Sequence, residues 1–261
     1  MTETTQDVSR KAAPAPTLHH LTSSQSLRIL WALEELAQAT SQPFTVKVYQ
    51  RIKGRAPPEL QQIFPLGKSP ILEIPSSLGE TAEYRPIPFL TTANNSTIVA
   101  ESRLILHFLS DHYAGDLWRA SSADEQLTDT FFQEFATCTL APTMDRIVTF
   151  DLIASNAPLP ARPLTWAVFT PLVRMFLKDL AAPFALMEQT LASGRAWFGG
   201  EEKLGLSDFL LSWPMDVAMQ RGYLDSRKYP RLAEWVERVH SREAYRRAVK
   251  RASYDLVKYD L

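Results

Sequence analysis

The spacing of apolar positions changes partway along the chain, and that change divides it. The stretch TLHHLT, beginning at Thr17, is a candidate strand that runs into SSQSLRILWALEELAQA, where Leu27, Leu30, Trp31, Leu33 and Leu36 form a broad helical stripe. In FTVKVYQ, Phe44, Val46 and Val48 alternate with Thr45, Lys47 and Tyr49, the period of two of a half-buried strand. PPELQQIF allows a short helix. Two further apolar runs follow, one of Ile71, Leu72 and Ile74 and one in TIVAE, separated by about 20 residues rich in Pro, Ser, Thr and Asn. That connection, residues 75–96, predicts an insertion between hairpin strands. ESRLILHFLSDHY then repeats Leu104, Ile105, Phe108 and Leu109 at helical spacing. The order is βαβ, then ββα.

Beyond residue 121 the spacing is helical throughout, with Pro142, Pro163, Pro171, Pro183 and Pro214 as starts, stops or kinks. The final unit, YPRLAEWVERVHSREAYRRAVKRA, puts Leu232, Trp235, Val236 and Val239 on one face. Arg242, Arg246, Arg247, Lys250 and Arg251 form a basic face expected to be solvated. Phe131, Phe132, Phe135, Phe150 and Trp166 are expected in the core, with some free to line a cleft between domains. The pattern therefore predicts a disordered tail over 1–16, a mixed domain over 17–113, a boundary near 114–122 and an all-helical domain over 122–261.

Composition narrows the setting. At 261 residues the chain is long enough for two cores, and its 45% hydrophobic and 22% charged content is that of a globular protein. No apolar run approaches the roughly 18 to 20 residues that span a bilayer, so no membrane segment is expected. A formal net charge of −1 supplies no global pull toward nucleic acid. Cys138 is the single cysteine, which rules out an internal disulfide and fits a reducing, cytoplasmic compartment. The first 16 residues carry acids and no apolar segment, unlike a presequence.

The chemistry centres on PLGKSPILEI, where Pro70 stands at the entry of a strand although proline cannot donate to a sheet ladder. The βαβ-ββα order is that of a thioredoxin-like domain, and a proline before the third strand of such a domain is expected to be cis. The backbone of Ser69 would then face a cleft with unpaired groups, suited to an extended peptide. An ordinary edge-strand proline fits the position equally well on its own. Glu101 and Ser102 open a helix whose free N–H groups favour a carboxylate, a place where simple capping also puts such residues. LGKS lacks the first glycine of a phosphate loop, since Gln62 stands there, so no nucleotide site is expected. His19 and His20 have no partner at ligand spacing, and no metal is expected.

Taken together, SSQSLRILWALEE, PELQQIFPLGKSPILEI, IVAESRLILHFL, LGLSDFLLSWPMD and YPRLAEWVERVHSREAYRRA resemble the glutathione S-transferase family over nearly the whole chain from Thr17, most of all a fungal branch. The resemblance implies a thioredoxin-like domain followed by an all-α helical bundle, a homodimer, and glutathione as co-substrate for an apolar electrophile. It implies that Glu101 and Ser102 hold the γ-glutamyl end of glutathione. Ser69, before cis-Pro70, would pair with the cysteinyl portion, and Lys68 would attract the glycyl carboxylate. Two positions depart from the family pattern. Phe64 stands where Asn is usual, and Gly205 where a helix-capping Ser or Thr is usual, with Asp208 kept; we expect the glycine to cost a few tenths of a kcal/mol.

A thiol of pKa about 8.5 must fall by roughly two units to be thiolate at neutral pH, about 2.7 kcal/mol. One hydroxyl donor and a helix N-terminus nearly supply it. Ser24, four residues before Arg28, has the spacing of serine-type family members; Ser23 and Ser26 are rivals, and all three also suit plain capping. No Tyr lies near the first strand, and Cys138 is far downstream, which argues against tyrosine- and cysteine-type chemistry. Two other readings stand beside a transferase: a noncatalytic glutathione-binding relative, and a pathway-specific enzyme of secondary metabolism suggested by the insertion at 75–96.

Overall fold

In the computed structural model, which describes residues 14–75 and 96–256, four strands form one mixed sheet in the order β2-β1-β3-β4. The strands are β1 (Thr17–Leu21), β2 (Thr45–Tyr49), β3 (Ile71–Ile74) and β4 (Thr97–Ala100). β1 runs parallel to β2 with Thr17 opposite Thr45, and antiparallel to β3 with His19 opposite Ile71; β3 pairs antiparallel with β4. α1 (Leu27–Thr40) makes the parallel crossover, α2 (Glu59–Ile63) follows β2, and α3 (Ser102–Leu109) follows β4. This is the expected βαβ-ββα order. The predicted insertion lies almost wholly outside the described residues, as do the first 13 of the tail. Residues 14–16 depart from the expected tail: the Pro14 carbonyl accepts from Tyr113 Oη at 3.0 Å and the Pro16 carbonyl from Thr45 N at 2.9 Å.

Strand alternation sorts the sheet's two faces. Leu18, Leu72, Ile74 and Val99 join the main core, whereas Ile71 and Ile98 pack with Leu60 of α2 in a small second cluster. Phe64 packs against that cluster, which gives an apolar reason for its presence where the family pattern has Asn. The histidine pair follows the same alternation: His19 meets Tyr49 Oη at 2.9 Å and Glu73 Oε2 at 3.1 Å, while buried His20 lies on the Leu18 side. β2 breaks its predicted alternation at Val48, which is exposed because β2 is an edge strand.

The rest is helical: α4 (Ala123–Glu134), α5 (Ala141–Asn156), α6 (Arg162–Asp179), α7 (Ala181–Ala192), α8 (Leu206–Gln220), α9 (Pro230–Ser241) and α10 (Glu243–Ala252). A wider π-type turn at Phe135–Leu140 joins α4 to α5. Pro142 lacks an N–H and crowds the carbonyl four residues back, so a widened turn there accommodates it without ending the helix. Pro171 and Pro214 lie inside α6 and α8, and Pro163 at the start of α6. Phe132 and Phe135 are buried, but Phe131 and Trp166 are exposed, against the expected core placement.

α1 is buried from Leu27 through Leu36, since the sheet lies on one side and α8 and α10 on the other. Its carboxylates correct the expectation of a solvated basic face on the last helix. Arg242 pairs with Glu35, and Arg247 and Arg251 reach Glu34 at 2.8 and 3.2 Å. Those bases fasten the carboxy-terminal helix to α1.

Gly205 also differs from expectation. It is the N-cap of α8, and its N–H donates to Asp208 Oδ2 at 2.9 Å. The bond that a capping hydroxyl would make comes from another helix: Asp129 Oδ1 on α4 accepts from Ser207 N at 2.9 Å. A Cβ at residue 205 would stand 2.5 Å from that oxygen and 2.7 Å from Gly199 Cα. The glycine is therefore a condition of the packing, and a carboxylate replaces the missing cap. Asp208 further accepts from Phe198 N, Gly199 N and Trp235 Nε1 at 2.9 to 3.0 Å.

Gly205→Ser, which introduces the capping residue usual in the family the sequence resembles, is expected to lower the unfolding midpoint, with an overpacking cost of about 1–3 kcal/mol. Thermal or denaturant unfolding of the variant measures this; a raised midpoint would show that the hydroxyl, and not Asp129, is the better cap.

Candidate functional site

A cleft opens where the loops at one end of the sheet face α5. Its largest part, about 670 Å³, is lined by Ser24, Gln25, Arg51, Arg55, Lys68, Ser69, Asp145, Thr149 and Trp213, with apolar Leu21, Leu66, Val148 and Leu152. Two smaller recesses adjoin it. One, about 210 Å³, is lined by Gln25, Lys68, Ser69, Pro70, Glu101 and Ser102; the other, about 240 Å³, by Gln25, Arg28, Glu101, Ser102, Arg103 and Asp145. Gln25 borders all three, so they form one continuous depression. Every residue singled out in the sequence for a binding or catalytic role, Ser24, Lys68, Ser69, Pro70, Glu101 and Ser102, lines it.

The Ser69–Pro70 bond is cis, as expected. Past the last paired residue of β3, the Ser69 hydroxyl takes the place of ladder bonds: it donates to the His19 carbonyl at 2.8 Å and accepts from Leu21 N at 3.0 Å. Among the described residues, no backbone hydrogen bond engages the main-chain groups of Ser69. They remain open to an extended partner in the cleft. Gly67 adopts φ +59°, and a Cβ there would stand 2.4 Å from Gln61 Cγ, so glycine suits the turn that presents Lys68.

Glu101 caps α3 by position, at φ 73° and ψ 122°, and Ser102 is the first helical residue. Neither side chain makes a capping hydrogen bond there, which removes the capping explanation for the pair. Their polar groups border both small recesses, beside the N–H groups of a helix start that favour a carboxylate.

The three serines of the first turn separate by placement. Ser24 is 6% exposed and borders the cleft; its Oγ donates to the Leu21 carbonyl at 2.7 Å. Ser26 is the N-cap of α1 but makes no capping bond, its hydroxyl being 2.6 Å from His20 Nδ1. Ser23, at φ 48°, accepts from Asp255 N at 3.2 Å. Arg51 braces this turn, donating to the carbonyls of Thr22, Ser23 and Gly54 at 3.0 to 3.3 Å.

Sequence reasoning did not find Gln25, Arg51, Arg55 or Asp145. Arg28, fully buried, donates to Gln25 Oε1 at 3.0 Å and lies over the Trp213 ring at 5.9 Å. Burial lowers its guanidinium to about 10 and raises the Asp145 carboxyl, with each charge partly offsetting the other's burial. Gln25 spans the cleft to Asp145 Oδ2 at 3.4 Å. The only mark of Gln25 in the sequence is its seat between two candidate serines, and Asp145 has none. Among the described residues, no group of three or more potential metal ligands occurs, and no helix is long and apolar enough to cross a membrane.

Comparison with known proteins matches residues 22–112 to a family described as the glutathione S-transferase N-terminal domain, and residues 173–250 to a domain of unknown function. The chain is 28% identical over 244 residues to Glutathione S-transferase 3 of Schizosaccharomyces pombe, covering 90% of this chain and 86% of that protein. It is 25% identical over 243 residues to Glutathione S-transferase 1 of Saccharomyces cerevisiae, covering 92% and 96%. In fold it is similar to a glutathione transferase from Phanerochaete chrysosporium solved with oxidized glutathione, at a TM-score of 0.66, 18% identity, and coverage of 92% and 96%.

Glu101→Gly is expected to raise the unfolding midpoint or leave it unchanged. Relief of a positive-φ non-glycine backbone, about 1–3 kcal/mol, offsets the entropy glycine adds to the unfolded chain. A clear drop in thermal midpoint would mean that the Glu101 side chain supports the fold.

Proposed function

As a member of the glutathione S-transferase family with fungal relatives, this chain, we propose, binds glutathione in the cleft described above and adds its thiolate to an apolar electrophile. The observation that carries this reading is the convergence on one depression of Ser24, Lys68, the open backbone of Ser69, and the Glu101–Ser102 helix start. In this reading the γ-glutamyl carboxylate meets the α3 N-terminus and Ser102, and its amino group meets Glu101. The cysteinyl backbone pairs with Ser69 before Pro70, and the glycyl carboxylate is drawn to Lys68.

The sulfur then lies beside Ser24, whose hydroxyl donates to the thiolate. Stabilising that anion by about 2.7 kcal/mol brings an ordinary thiol to neutral pH, within the range of one charge-assisted hydrogen bond and a helix N-terminus. The acceptor sits against Leu66, Val148, Leu152 and Trp213 in the large part of the cleft. Holding both reactants there turns a bimolecular attack into a local one. Residues 17–113 would carry glutathione and 122–261 the acceptor, in a cytoplasmic homodimer.

One observation favours a second reading, a noncatalytic glutathione-binding relative: the Ser24 hydrogen already has an acceptor in the Leu21 carbonyl. Titration calorimetry and turnover with a chromogenic electrophile separate the two. We expect Lys68→Ala and Ser102→Ala each to weaken glutathione binding by about tenfold, the effect of one hydrogen bond to a charged group. Ser24→Ala is expected to lower kcat far more than it changes glutathione affinity. Absence of any heat with glutathione would refute the site, and unchanged turnover in Ser24→Ala would remove Ser24 from the mechanism.

A further inference from the structure

The recess of about 240 Å³ beside α3 brings together two carboxylates from opposite halves of the chain. Glu101, at the start of α3, and Asp145, on α5, both line it, together with Gln25, Arg28, Ser102 and Arg103. Among the described residues, no ion pair includes either acid. Asp145 Oδ2 receives one long bond, from Gln25 Nε2 at 3.4 Å, and the Glu101 side chain does not cap its own helix.

The two cations of the recess leave this charge largely uncompensated. Arg103 is engaged by Gln133 and Glu134. Arg28, 1% exposed, donates to Gln25 Oε1 at 3.0 Å and to neither acid, and its Nε has no hydrogen-bond partner. The Arg28 charge offsets only part of the burial that holds the Asp145 carboxyl above its ordinary value. Lys68 lines the neighbouring recess instead.

Like charges on the walls of one small recess repel unless a cation lies between them. Among the described residues, no group of three or more potential metal ligands occurs. An organic ammonium fits better, since its three N–H donors can be divided between two carboxylates. Groups of the opposite character border the same space. The N–H groups at the start of α3 and the Ser102 hydroxyl favour an anion, and the unpartnered Arg28 Nε belongs to a residue lining the same recess. Sites for a cation and for an anion, side by side, match the head group of an α-amino acid, which carries ammonium and carboxylate on one carbon.

We propose that Asp145 is a second carboxylate for the ammonium of the γ-glutamyl head, which it and Glu101 hold between them from opposite halves of the chain. The inference rests on the glutathione-binding reading, in which that ammonium meets Glu101 alone. It makes a free α-ammonium the feature by which the cleft selects among thiol peptides, because a peptide without one leaves the two acids facing each other unpaired. Asp145 also lines the large part of the cleft, so a glutathione seated in this way touches both walls.

The test compares glutathione with its desamino analogue, in which hydrogen replaces the α-ammonium, by NMR titration of the whole chain. Wild type is expected to bind the analogue about a hundredfold more weakly, roughly tenfold for each charge-assisted bond. Asp145→Asn, which keeps the shape of the side chain and its acceptor for Gln25, should weaken glutathione about tenfold and leave the affinity for the analogue unchanged. Glu101→Gln should keep about a tenfold preference for glutathione, and the double variant should bind the two peptides alike. An Asp145→Asn protein that binds glutathione as wild type does, or that loses the same factor for both peptides, overturns the role of Asp145 and leaves the glutathione site standing. If Asp145→Asn does not fold, Glu101→Gln decides, since complete loss of the preference in that variant alone means that Asp145 contributes nothing. Wild type binding both peptides equally also overturns it. If wild type binds neither, the glutathione reading fails and this inference with it.

Discussion

A helix buried on every side is the constraint on which the molecule depends. α1 has the sheet on one flank and α8 and α10 on the other, and no described face of its first ten residues meets water. The polar side chains it carries therefore take their partners from inside the protein, although Arg28 Nε is left without a hydrogen bond. Arg28 finds Gln25 and the Trp213 ring, Glu34 finds Arg247 and Arg251, and Glu35 finds Arg242 and Trp31. These partners come from both halves of the chain, so satisfying one helix fixes their relative placement.

The site inherits that rigidity. The turn before α1 is held by Arg51 from below, by Asp255 from the carboxy-terminal segment, and by the Ser26–His20 bond from within the core. Ser69 ties the neighbouring loop to the end of the central strand through its hydroxyl, leaving its own main chain open. A cleft with polar edges thus forms beside groups whose other hydrogen-bonding alternatives are already occupied. Asp129 does the same for the start of α8, where a carboxylate from α4 accepts the bond of the cap that Gly205 cannot make.

Much of the fold was legible because local periodicity and topology agree. The candidate strand at TLHHLT, the apolar run of Ile71, Leu72 and Ile74, the stripe of Leu27, Leu30 and Trp31, and the proline before Ile71 all report local conformation, and the structure bears them out. Readings failed where a remote group intervened. Val48 has the pattern of an inward residue but sits on an edge strand, and Phe131 and Trp166 have the character of core residues but face outward. The basic face of α10 looked like a solvated one because Glu34 and Glu35 lie some two hundred positions upstream, as the Arg242–Glu35 separation of 207 records. Gly205 looked like a weak cap because Asp129 could not be seen beside it.

The sequence by itself determined where the four strands and the helices between them fall, and with them the order βαβ-ββα. These follow from hydrophobic period, proline geometry and the spacing of polar residues at element ends, all of which act within a few positions along the chain. Only the tertiary structure decided which of three serines faces the cleft, that Gln25 and Asp145 meet across it, and that His20 stands behind Ser26. The reason is physical: a hydroxyl or imidazole takes its direction from whichever donor or acceptor packing brings within about 3 Å, and that neighbour can come from anywhere in the chain.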